Sequence, residues 1–288
     1  MPEHVDKSKR GRNTVLSRTL LIGACVLIAA ALAIAAYVVW GYLDAQNRYA
    51  HIETVAGLEV ETENVVDSEL TLENLHFDWD ALRGLNPDTV GWIIVPGTHI
   101  NYPIVQGLDN SYYLYHLFDE SSSGTGAIFA DYKGPRGLDG PNNMIYGHNM
   151  WDSSMFSDLI MYTSQDFFDE HTVVFLGTPA RNYELRALTT LKIVGTAPVR
   201  LFDFESPADF HAYLDKLFVN PVTTAADFQE TKATTPSVYS FVTCNTYDNN
   251  YRIVLSCVVV RSLEQQAPVP GDTSSTGETG TGEKGTVG

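Results

Sequence analysis

The chain has 288 residues, 44% of them hydrophobic, and a formal net charge of −17, which suits one good-sized domain with appendages. Its basic cluster is confined to the N-terminus, at Lys7, Lys9, Arg10, Arg12 and Arg18. The acidic remainder lacks the footprint that phosphate backbones require, so nucleic acid is not expected as a partner.

From Thr19 to Leu43 no residue is charged, and Leu20–Trp40 is almost wholly apolar. About 20 such residues cross the hydrocarbon as a helix. Basic residues precede the run, and the acidic Asp44 and Glu53 follow it. That asymmetry places residues 1–18 in the cytoplasm as a basic tail, 19–43 across the cell membrane, and the long C-terminal part outside. A cleaved signal peptide is the competing reading. The run is longer than a signal core, however, and no small-x-small site follows it directly. Ile22-Gly23-Ala24-Cys25 has the look of a lipoprotein cleavage box, but the hydrophobic core lies after it instead of before. An uncleaved signal-anchor is expected.

Residues 44–67 are polar and acidic with little periodicity and read as a juxtamembrane stalk. Residues 68–262 form the expected globular domain. It opens with one or two short helices, with Ser68 and Asp78 as N-caps and Leu70, Leu75, Leu82 and Leu85 as apolar faces. Asn86-Pro87-Asp88 stops them. Val90–Val95 and His99–Val105 are β-branched and aromatic-rich around a Pro96-Gly97-Thr98 turn. Further strands are predicted at Gly126–Asp131, Met144–Gly147, Thr172–Gly177, Tyr183–Thr196, Val238–Cys244 and Tyr251–Arg261. A mainly β fold, a closed barrel or sandwich, follows from this series of short strands. A helix interrupts it: Ser206 caps, Pro207 takes the first position, and Phe210, Tyr213, Leu214, Leu217 and Phe218 share one face. A shorter helix is predicted from Ser153 to Met161. Residues 263–288 are rich in Gly, Thr, Ser, Glu and Pro, cannot bury enough surface to order themselves, and read as a disordered tail.

The cysteines are Cys25 in the span, Cys244 and Cys257. Extracellular cysteines usually pair, but strand register argues against a bond here. If Asn245–Asn250 connects the last two strands, Cys244 stands opposite Arg252, with Cβ atoms about 4.5–5.5 Å apart. A guanidinium that close favours a thiolate and can donate to an oxyanion. Cys257, five residues beyond Arg252, would face the other side of the sheet, roughly 16 Å along at ~3.3 Å per residue. A disulfide needs Cα atoms within about 7 Å, so Cys257 is expected in the core. His148 follows a short apolar strand and precedes polar loop residues, where a rigid scaffold presents catalytic groups. Together Cys244, His148 and Arg252 can supply nucleophile, proton donor and oxyanion partner. The residues alone leave two rivals standing: a membrane-tethered wall-binding barrel without catalysis, and a cysteine peptidase that passes its thioester to water. No Cys-x-x-Cys or His-x-x-x-His spacing and no Gly-rich phosphate loop is present, so neither metal nor cofactor is expected.

Several motifs, in order, resemble those of class B sortases. Val90-Gly91-Trp92-Ile93-Ile94-Val95-Pro96-Gly97-Thr98, continuing to Tyr102-Pro103-Ile104-Val105-Gln106, is similar to their opening strands. Asp109-Asn110-Ser111-Tyr112-Tyr113-Leu114 with His116, then Gly126-Ala127-Ile128-Phe129-Ala130-Asp131, continues the likeness. Tyr146-Gly147-His148-Asn149-Met150 with Met155-Phe156, the Ser206 helix, Val242-Thr243-Cys244 and Arg252-Ile253-Val254 complete it. The resemblance runs from about Phe77 to Arg261. It implies a closed barrel of about eight strands with an N-terminal helical extension and a helix between the sixth and seventh strands. It also implies a cysteine transpeptidase, of the cysteine endopeptidase type, acting on secreted surface proteins with sorting signals such as Asn-Pro-x-Thr-Asn/Gly or Leu-Pro-x-Thr-Gly. By position, Cys244 would attack the Thr carbonyl, and His148 would protonate the leaving amine and then deprotonate the incoming one. Arg252 would hold the oxyanion or the substrate backbone. The acceptor would be an amine of a peptidoglycan precursor or of a pilin. Two departures stand out: the Cys244–Arg252 connection is short, and Val242 replaces a serine found in some members. His116, Asp131, Tyr146, Asn101 and Asn149 receive no assigned role.

Overall fold

A computed structural model describes residues 7–57, 70–244 and 250–265. Ser68, all of the predicted stalk beyond Gly57, the Asn245–Asn249 connection and the tail from residue 266 lie outside the described residues. The first element is a single helix, α1 (Lys7–Val55). From Leu20 to Leu43 it is long and apolar enough to cross a membrane, and its window of highest hydropathy touches nothing else. It does not stop where the apolar run ends. Ala45, Tyr49, Ile52 and Ala56 are buried at 2%, 6%, 3% and 1% exposure, and their spacing puts them on one helical face against the body. Residues 44–55, read from sequence as stalk, are thus the last turns of α1 packed on the domain. Gly57, at φ 74°, ends the helix in the left-handed conformation that only glycine adopts without strain.

Of the one or two short helices expected, the described residues contain α2 (Trp79–Leu85). The Asp78 carboxylate accepts from the Ala81 N–H at 2.9 Å, a cap of the kind worth about 1 kcal/mol. The Asp78 N–H in turn donates to the Ala56 carbonyl, joining α2 to the end of α1. Asn86-Pro87 stops the helix, since a residue before proline is pushed toward extended backbone.

The described strands are β1 (Thr89–Ile94), β2 (Asn101–Val105), β3 (Ile128–Ala130), β4 (Asn142–Tyr146), β5 (Val173–Gly177), β6 (Arg181–Val194), β7 (Pro221–Thr224), β8 (Val238–Cys244) and β9 (Tyr251–Glu264). Around the barrel they run β1-β2-β3-β4-β8-β9-β6-β5, and β5 closes onto β1. Eight strands make the closed, mainly β barrel. The long β6 carries β9 along one edge; on the other its first half pairs β5 and its second half pairs the short β7. Two contacts, β2–β3 and β4–β8, are parallel and require long crossovers. The second crossover contains α3 (Gln165–Glu170), β5, β6, α4 (Pro207–Leu217), β7 and α5 (Phe228–Thr234). α4 is the Ser206-capped helix, with Phe210, Tyr213 and Leu214 buried, as its spacing predicts. The helix expected at Ser153–Met161 is instead a 3-10 helix over Ser157–Thr163. Ser153 and Met155 hold positive φ of 64° and 58°, which no α-helix accommodates.

The core lies inside the barrel and beneath the crossovers. Trp92 is fully buried and donates its indole N–H to Asn101 at 2.6 Å, so Asn101 serves the core. Each fully buried large apolar side chain contributes on the order of 2–3 kcal/mol.

Candidate active site

The site is built on the adjacent ends of β4, β8 and β9. In the antiparallel β8–β9 ladder Cys244 pairs with Arg252, Val242 with Val254 and Tyr239 with Cys257. The connection length therefore set the register as expected. Cys257 is fully buried, and burial pushes its thiol pKa well above the ordinary value, leaving it protonated and inert at neutral pH.

β4 lies parallel to β8 on the other side, with Tyr146 paired to Val242. The ladder extends one step further, through the Gly147 N–H to the Val242 carbonyl at 3.1 Å. His148, two residues past Tyr146, is therefore level with Cys244, two residues past Val242. Neighbouring strands are about 4.8 Å apart. The backbones of His148, Cys244 and Arg252 thus form one row across three strands, about 10 Å from end to end.

The neighbourhood of His148 is tightly determined. Its Nε2 lies 2.9 Å from the Leu114 carbonyl. A carbonyl only accepts, so Nε2 carries the proton and Nδ1 is the basic nitrogen of the neutral ring. Gly126, at φ 64°, passes directly beneath. A Cβ there would stand 2.7 Å and 2.8 Å from the carbonyls of Tyr113 and Leu114 and 3.0 Å from the His148 ring. Gly147 leaves space for Phe156, whose ring a Cβ would approach to 2.7 Å. The Phe156 N–H donates to the His148 carbonyl at 2.9 Å, and Asn149 pairs with Met155. Ser157 closes the loop, accepting from the Met150 N–H and donating to the Met150 carbonyl.

Arg252 is half-buried, its guanidinium 3.1 Å from the Tyr251 carbonyl. It runs past Gly195 at the end of β6, where a Cβ would lie 3.4 Å from its Cζ; the Gly195 N–H donates to the Asn250 carbonyl at 2.7 Å. Next to Arg252 in the sheet stands Ile193. It borders a cavity of about 490 Å³ between the β6–α4 connection and α4, lined also by Ala197, Val199, Leu201, Tyr213 and Leu217.

Asp131 and Arg200 pin that connection to the β3 side of the barrel. The Asp131 side chain is fully buried and accepts two Arg200 bonds, at 2.5 Å and 2.9 Å, with further bonds from Tyr146, Asn110 and the Lys133 N–H. Burial alone would raise its pKa. Arg200 and these donors outweigh burial and hold the carboxyl below the usual carboxylate range. Asp131 and Tyr146 are thus structural partners of the connection. His116 stacks on Tyr112 with ring centroids 4.0 Å apart. Gly126, Gly195 and Arg200 are contributions that sequence reasoning missed. Only the unusual glycine after a long β-branched strand, Val194-Gly195, hinted at one of them. Among the described residues no cluster of three or more His, Cys, Asp or Glu could hold a metal ion.

No family model matches the chain. Sortase B of Listeria monocytogenes is 37% identical over 136 residues, which cover 47% of this chain and 55% of that protein. The chain therefore spans little more than half the length of this curated relative. The X-ray structure of Clostridium perfringens sortase B superposes with a TM-score of 0.58 at 26% identity, covering 63% of this chain and 99% of that one. A Staphylococcus aureus sortase B–substrate complex superposes with a TM-score of 0.62 at 25% identity, covering 76% and 98%. The closed mixed barrel, its helical extension and the sequence likeness agree: this chain is similar in both sequence and fold to class B sortases.

Proposed function

We propose that the chain is a membrane-anchored cysteine transpeptidase that cleaves a sorting signal and passes the acyl group to an amine. The observation that carries this reading is the single row of His148, Cys244 and Arg252 across β4, β8 and β9. The Cys244 thiolate attacks the carbonyl before the scissile bond, and the Arg252 guanidinium balances the oxyanion that forms. As the tetrahedral adduct collapses, the C–N bond breaks and protonated His148 donates its proton to the departing amine. A thioester to Cys244 remains. An incoming amine then loses a proton to His148 as its nitrogen attacks the thioester, and the thiolate is released. Nδ1 of His148 suits this exchange because Nε2 is committed to Leu114.

The Staphylococcus relative is described with its substrate, which supports a peptide ligand for this chain too. The cavity beside Ile193 is a suitable wall for an extended peptide, and Asp131–Arg200 fixes that wall. Secreted proteins with C-terminal sorting signals are the proposed substrates, with a peptidoglycan precursor or a pilin as acceptor. Residues 19–43 are the proposed anchor, with residues 1–18 inside and the domain outside. The test is incubation of the domain with sorting-signal peptides, with and without oligoglycine or diaminopimelate amines. Amide-linked product that appears only with the amine supports transfer. Cleavage at the same rate with water as sole acceptor, and no amide product, would reduce the protein to a hydrolase.

A further inference from the structure

α1 leaves its apolar section and joins the barrel without a gap, so membrane depth and barrel position are linked. The end of the apolar section carries exposed aromatic rings: Tyr37 and Trp40, 72% and 61% exposed, with centroids 6.3 Å apart. Tyr42 follows two residues later, about 3 Å further along the axis. Its ring meets Trp151 edge-on, with centroids 5.2 Å apart, and Trp151 is itself 72% exposed. Trp151 lies three residues past His148 in the loop that Phe156 and Ser157 close. A second loop reaches the same level: Leu117 and Ser121–Thr125 face Tyr37, Trp40 and Gly41 across an open cavity of about 430 Å³. The barrel therefore overhangs the end of the span.

Tyr and Trp at the end of a spanning helix settle at headgroup level, in a layer about 5–8 Å deep on each side of the bilayer. Two loops, one touching Tyr42 and one facing Tyr37–Gly41 across the cavity, stand at the level of that layer. Neither offers a charge-based alternative. Residues 112–125 and 147–157 contain no Lys or Arg but include Asp119, Glu120 and Asp152, and the nearby Arg48 is bonded to Asp44 and Asp119. An anionic surface would repel them.

We infer that Trp151 and the facing 121–125 loop are seated in the phospholipid headgroup layer, so that the His148 loop is held at the bilayer surface. The partner is the lipid interface itself, engaged by aromatic insertion and not by charge. Substrates still held by their own membrane anchors would meet the site at their own depth. The inference rests on the proposed anchor, and the test separates the two.

The full chain would be reconstituted in phosphatidylcholine vesicles whose acyl chains are brominated close to the headgroup, and tryptophan quenching measured. Trp40 and Trp151 should both be quenched. Trp40→Phe should keep about half of the quenching, Trp40→Phe/Trp151→Phe should lose nearly all of it, and high salt should change neither result. If Trp40→Phe alone removes the quenching, the anchor holds but the loop stands clear of the lipid, and the seating is refuted. If the unaltered chain is not quenched at all, the anchor itself is refuted and the seating falls with it. Quenching by Trp151 that disappears in high salt would replace aromatic insertion with charge and overturn the proposal as stated.

Discussion

Two cysteines share the β8–β9 ladder at different positions. Cys257 lies mid-strand opposite Tyr239, fully buried, its thiol pushed up by desolvation. Cys244 ends β8 opposite Arg252, level with His148 on the neighbouring strand. One ladder therefore holds an inert packing thiol and a candidate nucleophile. Position distinguishes them: mid-ladder the sheet is covered on both faces, while at its end the backbones of His148, Cys244 and Arg252 fall into one row.

The comparison breaks most sharply by mutation of each end. Cys244→Ala should abolish acyl transfer while the barrel stays folded; residual transfer in a folded variant would move the nucleophile elsewhere. Arg252→Lys keeps the charge but loses the planar fork. Its kcat/KM should fall roughly 10²-fold, the scale of removing one oxyanion donor, and near-normal turnover would reduce Arg252 to a diffuse charge.

The frame around the open end comes next. Asp131→Asn leaves the Arg200 side chain without its carboxylate, and breaking such a pair costs roughly 3 kcal/mol when its acid is buried. The sign of the pH dependence follows from the lowered pKa of Asp131. Its stabilisation is complete above the unfolded carboxylate pKa of about 4 and disappears as pH falls through the depressed native value. Denaturant midpoints should therefore separate the two proteins at pH 7 and converge in strong acid; a constant gap would mean that packing, not charge, is lost. Gly126→Ala should cost about 1–2 kcal/mol from its left-handed backbone alone, and it should lower activity by displacing the His148 ring. Full activity in that variant would show that His148 tolerates a looser seat. Cys257→Ala should cost on the order of 1 kcal/mol and leave turnover unchanged, as thermal melts and initial rates will show.

Much of the site was legible because it is local. The short connection set the Cys244–Arg252 pairing, β-branched and aromatic runs between turn signals marked eight strands, and helical spacing marked the Ser206 helix. The alignment of His148 with Cys244 was not legible from strand patterns, because it depends on a parallel pairing across a crossover of almost a hundred residues. Resemblance to a family supplied that link. Gly126 and Gly195 were missed because their neighbours come from distant segments, and β7 because four residues carry too little pattern. The packed end of α1 was read as stalk because Ala45, Tyr49, Ile52 and Ala56 stand among Gln46, Asn47, Arg48 and Glu53, which dilute the stripe. A truncation at residue 43 keeps that stripe, while one at residue 57 removes Tyr49, whose hydroxyl donates to the Gly126 carbonyl at 3.0 Å.

The most direct test of the account is to trap the acyl-enzyme. The protein would be quenched in acid during turnover of a sorting-signal peptide, digested, and the acyl mass located by mass spectrometry. The account predicts the adduct on the peptide that contains Cys244 and none on Cys257. An adduct that persists in Cys244→Ala, or that maps to Cys257, would contradict it.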